Sequence, residues 1–291
     1  MSKEKRADQP TAAEIVQAIE RSGFLMEQRV ASSFESLGFN VQTGYPFEDP
    51  EEGKSREIDV WAVMRGTRDE ARKVCVWLEM ICECKNNENP FVFLRRPKGH
   101  LDNLYFDPCQ YVLPFSLYQA PTEDGHGTRE QSGFRLFGFH EFHYWYRDST
   151  RATQFCKILR KGDGWEANQG GIYDAIFYPL AKAATARRVD RSLYSPRDPS
   201  EWKNIYLLFP VVVVNGKIYQ IDSTLSVPEP LEVGHVSFVR SLTSKRVKGQ
   251  FMIDFVTQAE LGTYVKSIVL PYAEDIGRLA IDAGDRLGKS Q

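Results

Sequence analysis

Cysteine, histidine and net charge are all scarce in this chain, which has five Cys, five His and a formal charge of −2 in 291 residues. Cys82 and Cys84 lie two apart in an apolar run while Cys75, Cys109 and Cys156 are scattered, so neither a disulfide framework nor a zinc site of paired Cys motifs is expected. The thiols read as small buried hydrophobes in a reducing compartment. His140-Glu141-Phe142-His143 lacks the HExxH spacing, which leaves zinc-protease chemistry unsupported. The near-neutral charge excludes a protein that coats nucleic acid by bulk electrostatics, so any such binding must rest on local patches. Those patches are Arg95, Arg96 and Lys98; Lys157 with Arg160 and Lys161; Arg187, Arg188 and Arg191; and Lys245, Arg246 and Lys248. The first is the best placed, because it follows the acidic motif described below most closely.

Long apolar runs are missing too. The longest, Ile205 to Val214, is about half the ~20 residues that a membrane span requires. Met1 to Pro10 is charged and without a signal-like apolar stretch, so the expectation is a cytoplasmic protein with no membrane contact. Gly162-Asp163-Gly164 and Gly170-Gly171 lack the Gly-Lys-Ser/Thr of a P-loop, and neither a Gly-x-Ser-x-Gly elbow nor a dinucleotide fingerprint follows a strand. Repeats are absent. What remains is an ordinary globular composition, 42% hydrophobic and 26% charged.

Thr11-Ala12-Ala13-Glu14 is a capping-box pattern that starts a helix, and Ser22-Gly23 breaks it before a second helix begins. Ile15 and Ile19, then Met26, Val30, Phe34 and Leu37, recur at helical spacing and predict a buried stripe. Gly38 closes the second helix, and Phe39 to Tyr45 begins the first strand. An acidic, turn-rich loop, Pro46 to Ser55, leads to a strand over Arg56 to Met64. After a further loop the apolar run Val74 to Lys85 makes the third.

Three acids stand out against this pattern: Glu27 in the second helix, Asp59 in Arg56-Glu57-Ile58-Asp59-Val60, and Glu83 in Glu83-Cys84-Lys85. Strand alternation puts Ile81, Glu83 and Lys85 on one face and Met80, Cys82 and Cys84 on the other. An acid at the end of so apolar a strand is costly to bury unless a cation, a metal or a cleft receives it. Two carboxylates on adjacent strands are hard oxygen ligands suited to Mg²⁺ or Mn²⁺, and such an ion neutralises charge at a phosphodiester and makes a nucleophile of water. A lysine on the same face can orient that water or offset charge in the transition state. A plainer reading stays open, in which Asp59 pairs with Arg56 and Glu83 with Lys85 as ion pairs worth little at a surface. Glu79 shares the face of Glu83 but has no lysine two positions on, and is left out.

With these residues the chain resembles the PD-(D/E)xK, or restriction-endonuclease-like, nuclease superfamily. Its motif stands here as Asp59 and then Glu83-Cys84-Lys85, and its upstream helical glutamate is matched by Glu27 in Ser22-Gly23-Phe24-Leu25-Met26-Glu27. Ile58 occupies the place of the proline in the family name. The likeness covers roughly the first 95 residues and thins out afterwards.

The resemblance implies an α/β fold with an αβββαβ core, a mixed central sheet flanked by helices. It makes Asp59, Glu83 and the Cys84 backbone carbonyl ligands of Mg²⁺ or Mn²⁺, with Lys85 positioning water and Glu27 orienting a metal-bound water or holding a second ion. The implied activity is phosphodiester hydrolysis in nucleic acid, DNA in preference to RNA, in defence or repair, with a homodimer or a regulatory protein as further partner. A reading from another class is a non-catalytic nucleic-acid or protein interaction module that retains the nuclease fold.

The remaining core elements are a helix over Ile172 to Val189, kinked by Pro179, and the strand Ile205 to Val214, where Pro210 speaks against a central position. Phe134 to Tyr146 reads as a two-faced buried strand in preference to a base-stacking platform. Asn215-Gly216 signals a hairpin from Val214 into Lys217 to Asp222. His235 to Leu242 and Gln250 to Val256 are strands, and Gln258 to Leu287 is helical with an interruption at Pro271. The expected organisation is a flexible tail, 1–10, and one elaborated domain, 11–291. Its core elements are 11–85 and 170–214, with an insertion at 86–169 and a C-terminal sheet extension and helix at 215–291.

Overall fold

Two N-terminal helices, α1 (Ala12–Ser22) and α2 (Phe24–Ser36), precede an antiparallel meander of β1 (Asn40–Glu48), β2 (Ser55–Asp69) and β3 (Val74–Lys85). The computed structural model describes residues 9–289 apart from 88, 109, 123, 194, 195, 197 and 199. Positions 1–8 of the expected tail and Cys109 therefore lie outside the described residues. Next come β4 (Phe91–Pro97), α3 (His100–Leu104), β5 (Tyr111–Val112), β6 (Tyr118–Pro121), β7 (Thr128–Gln131), α4 (Gly133–Leu136), β8 (Thr150–Lys161) and β9 (Gly164–Asn168). The chain continues through α5 (Tyr178–Ser192), β10 (Lys203–Val214), β11 (Ile218–Asp222), β12 (Pro230–Val233), β13 (His235–Thr243), β14 (Lys248–Thr257), α6 (Leu261–Tyr264) and α7 (Leu270–Ala283).

A 12-stranded mixed sheet runs in the order β1-β2-β3-β10-β14-β13-β8-β4-β11-β12, with β5 beside β10, β9 beside β8, and β6-β7 forming a separate ribbon. The fold is thus α/β, a large mixed sheet flanked by helices. β3 and β10 are apolar on both faces because both faces are covered, and they pair in parallel over their whole length. Met26, Val30 and Phe34 of α2 and Tyr272 and Ile276 of α7 pack with Leu78, Met80, Leu207 and Phe209 on one side. Leu180, Ala183 and Ala184 of α5 pack with Ile81, Leu208 and Val212 on the other. Each fully buried Val, Leu, Ile, Phe or Met among them contributes roughly 1.5–3 kcal/mol.

The capping box at Thr11 forms, and Gly23, at φ +91, ends α1 and opens α2. The buried stripe holds only in α2. α1 buries no residue, and Ile15 and Ile19 are 46% and 36% exposed, because α1 lies beside α2 and not on the sheet.

Prolines fall where helices begin afresh. A π turn, Tyr173–Phe177, precedes α5 and another, Val265–Val269, precedes α7, which places Pro179 and Pro271 in first turns where a missing N–H is harmless. Pro210 sits in a central strand after all. β10 meets β5 at Tyr206 and Leu207 and β14 from Val211 onward, so the edge of Pro210 away from β3 falls in the gap between two partners.

Two other expectations are corrected. Phe134 to Tyr146 is buried at Phe134, Phe139 and Trp145 as expected, but it forms α4, turns and a 3₁₀ turn at Tyr144–Arg147, not a strand. Nor does Asn215-Gly216 fold β11 back on β10: β11 pairs with β4 and β12. Glycine is needed at 216 because a Cβ there would lie 2.4 Å from the Asn87 carbonyl oxygen. The β4 and β8 strands of the segment 86–169 join β11 and β13 from the C-terminal region in the same sheet.

Candidate active site

Asp59, Glu83 and Lys85 meet at the C-terminal end of β3, with Glu27 within electrostatic reach. The β2–β3 ladder runs to Val60 opposite Cys82 and then gives way to a side chain: Asp59 Oδ2 accepts the Cys84 backbone N–H at 2.7 Å. Alternation breaks at this point. Ile58 packs with Ile81 on the α5 side, whereas Val60 and Ala62 pack with Met80 and Cys82 on the α2 side. Gly44, set between the partners of Val60 and Ile58 on β1, has φ +59, a conformation that glycine adopts without strain. β10 ends level with β3, and the Lys85 carbonyl accepts N–H groups from both Asn87 (2.9 Å) and Asn215 (3.2 Å), which anchors the strand end. Asn86 reaches back to the Glu20 carbonyl, tying the same end to α1.

Glu83 and Lys85 share a face and form an ion pair, Nζ to Oε1 2.6 Å, with side chains 17% and 25% exposed. Among the described residues Asp59 Oδ1 and Glu83 Oε2 accept no hydrogen bond, so each carboxylate keeps one oxygen for a ligand. A cavity of about 470 Å³ opens beside Glu83, between Ile58 of β2 and Leu180 of α5.

Electrostatics link Glu27 to this group. Burial, then the charges of Asp59 and Glu83, push its carboxyl above the usual range, against the pull of Lys85. Asp59 is raised by burial, opposed by the Cys84 N–H and Lys85. Glu83 is raised by burial and by Asp59, again opposed by Lys85. Three half-buried acids with one clamped lysine are short of positive charge, the condition that a divalent cation relieves. Burial also drives the Cys84 thiol far up, so its sulfur is inert and the carbonyl is the group it can offer.

Among the described residues no three His, Cys, Asp or Glu side chains gather as a group able to hold one ion. A metal site here would have to be made from the Asp59 and Glu83 carboxylates, completed by main-chain oxygen and water. That set fits Mg²⁺, which keeps several of its waters and takes one or two carboxylates.

The proposed nucleic-acid residues part company. Arg95 turns inward to Gln220, Asp148 and the Thr150 carbonyl. Lys98 donates to the Trp145 and Asp148 carbonyls above the Trp145 ring, and burial pushes its pKa down to about 8. Arg96 remains exposed. Arg187 and Arg191 are also spent, since they bind Glu79, which has no exposure and takes a further bond from Trp61. Glu79 is a structural acid.

Two features escaped the sequence reading. Lys157, read in the sequence only as part of a basic patch with Arg160 and Lys161, lies on β8 opposite Phe91 and over its ring, with a pKa lowered by burial and by Lys85; only strand pairing brings it there. Asp254 gathers Ser237, His235, Tyr144 and Tyr264. This is not a relay, because His235 Nε2 faces both Asp254 (3.1 Å) and Ser237 (3.3 Å) while Ser237 bonds Asp254 directly. No family model, curated protein or solved structure matches the chain.

Proposed function

We propose that the protein is a Mg²⁺- or Mn²⁺-dependent nuclease that hydrolyses phosphodiester bonds in DNA, with a restriction-endonuclease-like core, acting in the cytoplasm. The observation that carries this reading is the meeting of Asp59, Glu83 and Lys85 at one strand end, each acid with an oxygen to spare and Glu27 within electrostatic reach. The order α2, β1, β2, β3, α5, β10, with β3 parallel to β10, supports the finer reading of the fold.

Asp59 and Glu83, with the Cys84 carbonyl, would hold the ion. When bound, it offsets charge on the phosphate and lowers the pKa of a coordinated water. The Cys84 N–H fixes the Asp59 carboxylate and so pre-sets the ligand geometry. Lys85 orients the attacking water and offsets negative charge as the phosphorus–oxygen bond breaks. Glu27 holds a water on the helix side of the cluster.

Supercoiled plasmid, linear duplex, single-stranded DNA and RNA incubated with Mg²⁺, Mn²⁺ or EDTA test this reading. Cleavage of at least one DNA form with metal, and none in EDTA, is expected. The clamp of Lys85 on Glu83 also favours a second reading, a binding module that retains the fold. It predicts nucleic-acid or protein binding with no turnover under any ion.

A further inference from the structure

Arg96 and Arg151 face each other across β4 and β8, and Arg240 lies on β13, which runs parallel to β8 with Phe238 opposite Ala152. The three line one cavity of about 500 Å³ together with Thr153, Gln154 and Ser223, and no acid among the described residues lines it. A slip in the β4–β8 register builds this arrangement. Leu94 pairs with Gln154 and Arg95 with Ala152, so Thr153 is an extra residue. Arg96 and Arg151 thereby share the side of Leu94 and Gln154, while Arg95 points the other way into its own partners.

Like charges directly opposite in a sheet repel, and in a chain of net charge −2 such a cluster is no background of basic residues. Its guanidinium groups are largely unspent. Among the described residues the Arg96 side chain has no hydrogen bond or ion pair. Arg240 has one 3.5 Å bond to the Thr153 carbonyl and a contact with the Tyr173 ring. Arg151 pairs with Asp102, Nε to Oδ2 3.0 Å. Forked donors backed by hydroxyl and amide groups suit phosphate oxygens and carry no base information.

We propose that this arginine cleft holds the phosphodiester backbone of the DNA strand on one side of the bond to be cut, an inference that rests on the nuclease reading above. β4 starts beside the site, because the Phe91 N–H bonds the Lys217 carbonyl next to the turn that caps Lys85. Arg96 follows five residues on, ~17 Å at ~3.4 Å per residue, equal to about five base-pair steps. Duplexes that extend beyond this distance gain from the cleft, and shorter ones do not.

The test uses the full chain with Arg96→Ala/Arg240→Ala, against Arg160→Ala/Lys161→Ala as a control that removes equal charge from the β8–β9 hairpin. Fluorescence anisotropy with a duplex of about 20 bp in EDTA, over a salt series, reads affinity. The expected result is a Kd raised roughly tenfold or more and a log–log salt slope reduced by about 2, with little change in the control. Arg96→Lys/Arg240→Lys recovers part of the loss if charge is what matters. Hydrolysis of bis(p-nitrophenyl) phosphate with Mn²⁺, a diester too small to span the distance, stays at the wild-type rate. Wild-type duplex affinity in the double alanine variant, or a loss no larger than in the control, overturns the cleft. If no protein hydrolyses the small diester or DNA, the nuclease reading fails while the binding comparison still decides the cleft.

Discussion

The Asp59 carboxylate accepts the backbone N–H of Cys84 at 2.7 Å, so the two halves of the acidic motif are joined by a bond that ends the β2–β3 ladder. This bond separates two roles of one side chain. Asp59→Ala leaves the Cys84 N–H without its acceptor and costs about 1–3 kcal/mol, whereas Asp59→Asn keeps an oxygen for it and removes only the charge. In urea unfolding Asp59→Ala is expected to lose stability and Asp59→Asn to stay near wild type. Both are expected to lose metal-dependent activity.

The raised carboxyl of Glu83 sets the sign of a second prediction. Its folded pKa lies above the ordinary 4.5, chiefly through burial and Asp59. The favourable contribution of the protonated form is full below the unfolded pKa and is lost as pH rises through the folded one, so the metal-free protein carries a penalty at neutral pH. Glu83→Gln, which retains an oxygen for Lys85, is expected to melt higher than wild type in EDTA at about pH 8, with the gap closing toward about pH 4. Added Mn²⁺ is expected to raise the wild-type melting temperature but not that of Glu83→Gln.

Asp49 behaves in the opposite sense. Burial works to raise it, but hydrogen bonds from Lys182, the Glu51 N–H and Arg56 hold it down at about 2. Its contribution, on the order of 2 kcal/mol, is present above the unfolded pKa and is lost as pH falls through the folded one. Asp49→Asn is therefore expected to flatten the acid limb of the stability curve between about pH 4 and pH 2. Asp49→Ala also leaves Lys182, whose amine is 2.7 Å away, with Glu52 at 3.5 Å as its remaining acidic partner, and is expected to cost about 1–3 kcal/mol in denaturant unfolding.

Gly216 guards the site from outside it. A Cβ at 216 would meet the Asn87 carbonyl oxygen at 2.4 Å, next to the turn that anchors Lys85. Gly216→Ala is expected to cost about 1–3 kcal/mol and to lower activity more than metal affinity, because it displaces the strand end that carries the lysine. Thermal melts and calorimetric metal titration of the same preparation separate the two effects.

Local chemistry was legible where it was local. The capping box at Thr11, the glycine break at Gly23 and the limits of β3 follow from adjacent residues, and the shared face of Glu83 and Lys85 follows from strand alternation; the place of Asp59 depends on a break in that alternation, and Glu27 is singled out by the resemblance alone. What escaped depended on partners far along the chain. Ile15 and Ile19 have a helical period, but the period does not say whether anything covers it. Asn215-Gly216 has hairpin chemistry, yet the competing strand β4 takes β11, and the glycine serves a close backbone approach. Arg95 and Arg96 part by strand alternation, but that Arg96 faces Arg151 depends on the bulge at Thr153, on a strand more than 50 residues away.

Single-turnover cleavage of DNA by wild type, Asp59→Asn and Lys85→Ala, each with Mn²⁺ and with EDTA, tests the central claim most directly. The account predicts metal-dependent cleavage by wild type, a rate lowered about 10²–10⁴-fold in Lys85→Ala, and no metal-dependent cleavage by Asp59→Asn. Cleavage that persists in EDTA, or that survives both substitutions at the wild-type rate, contradicts it.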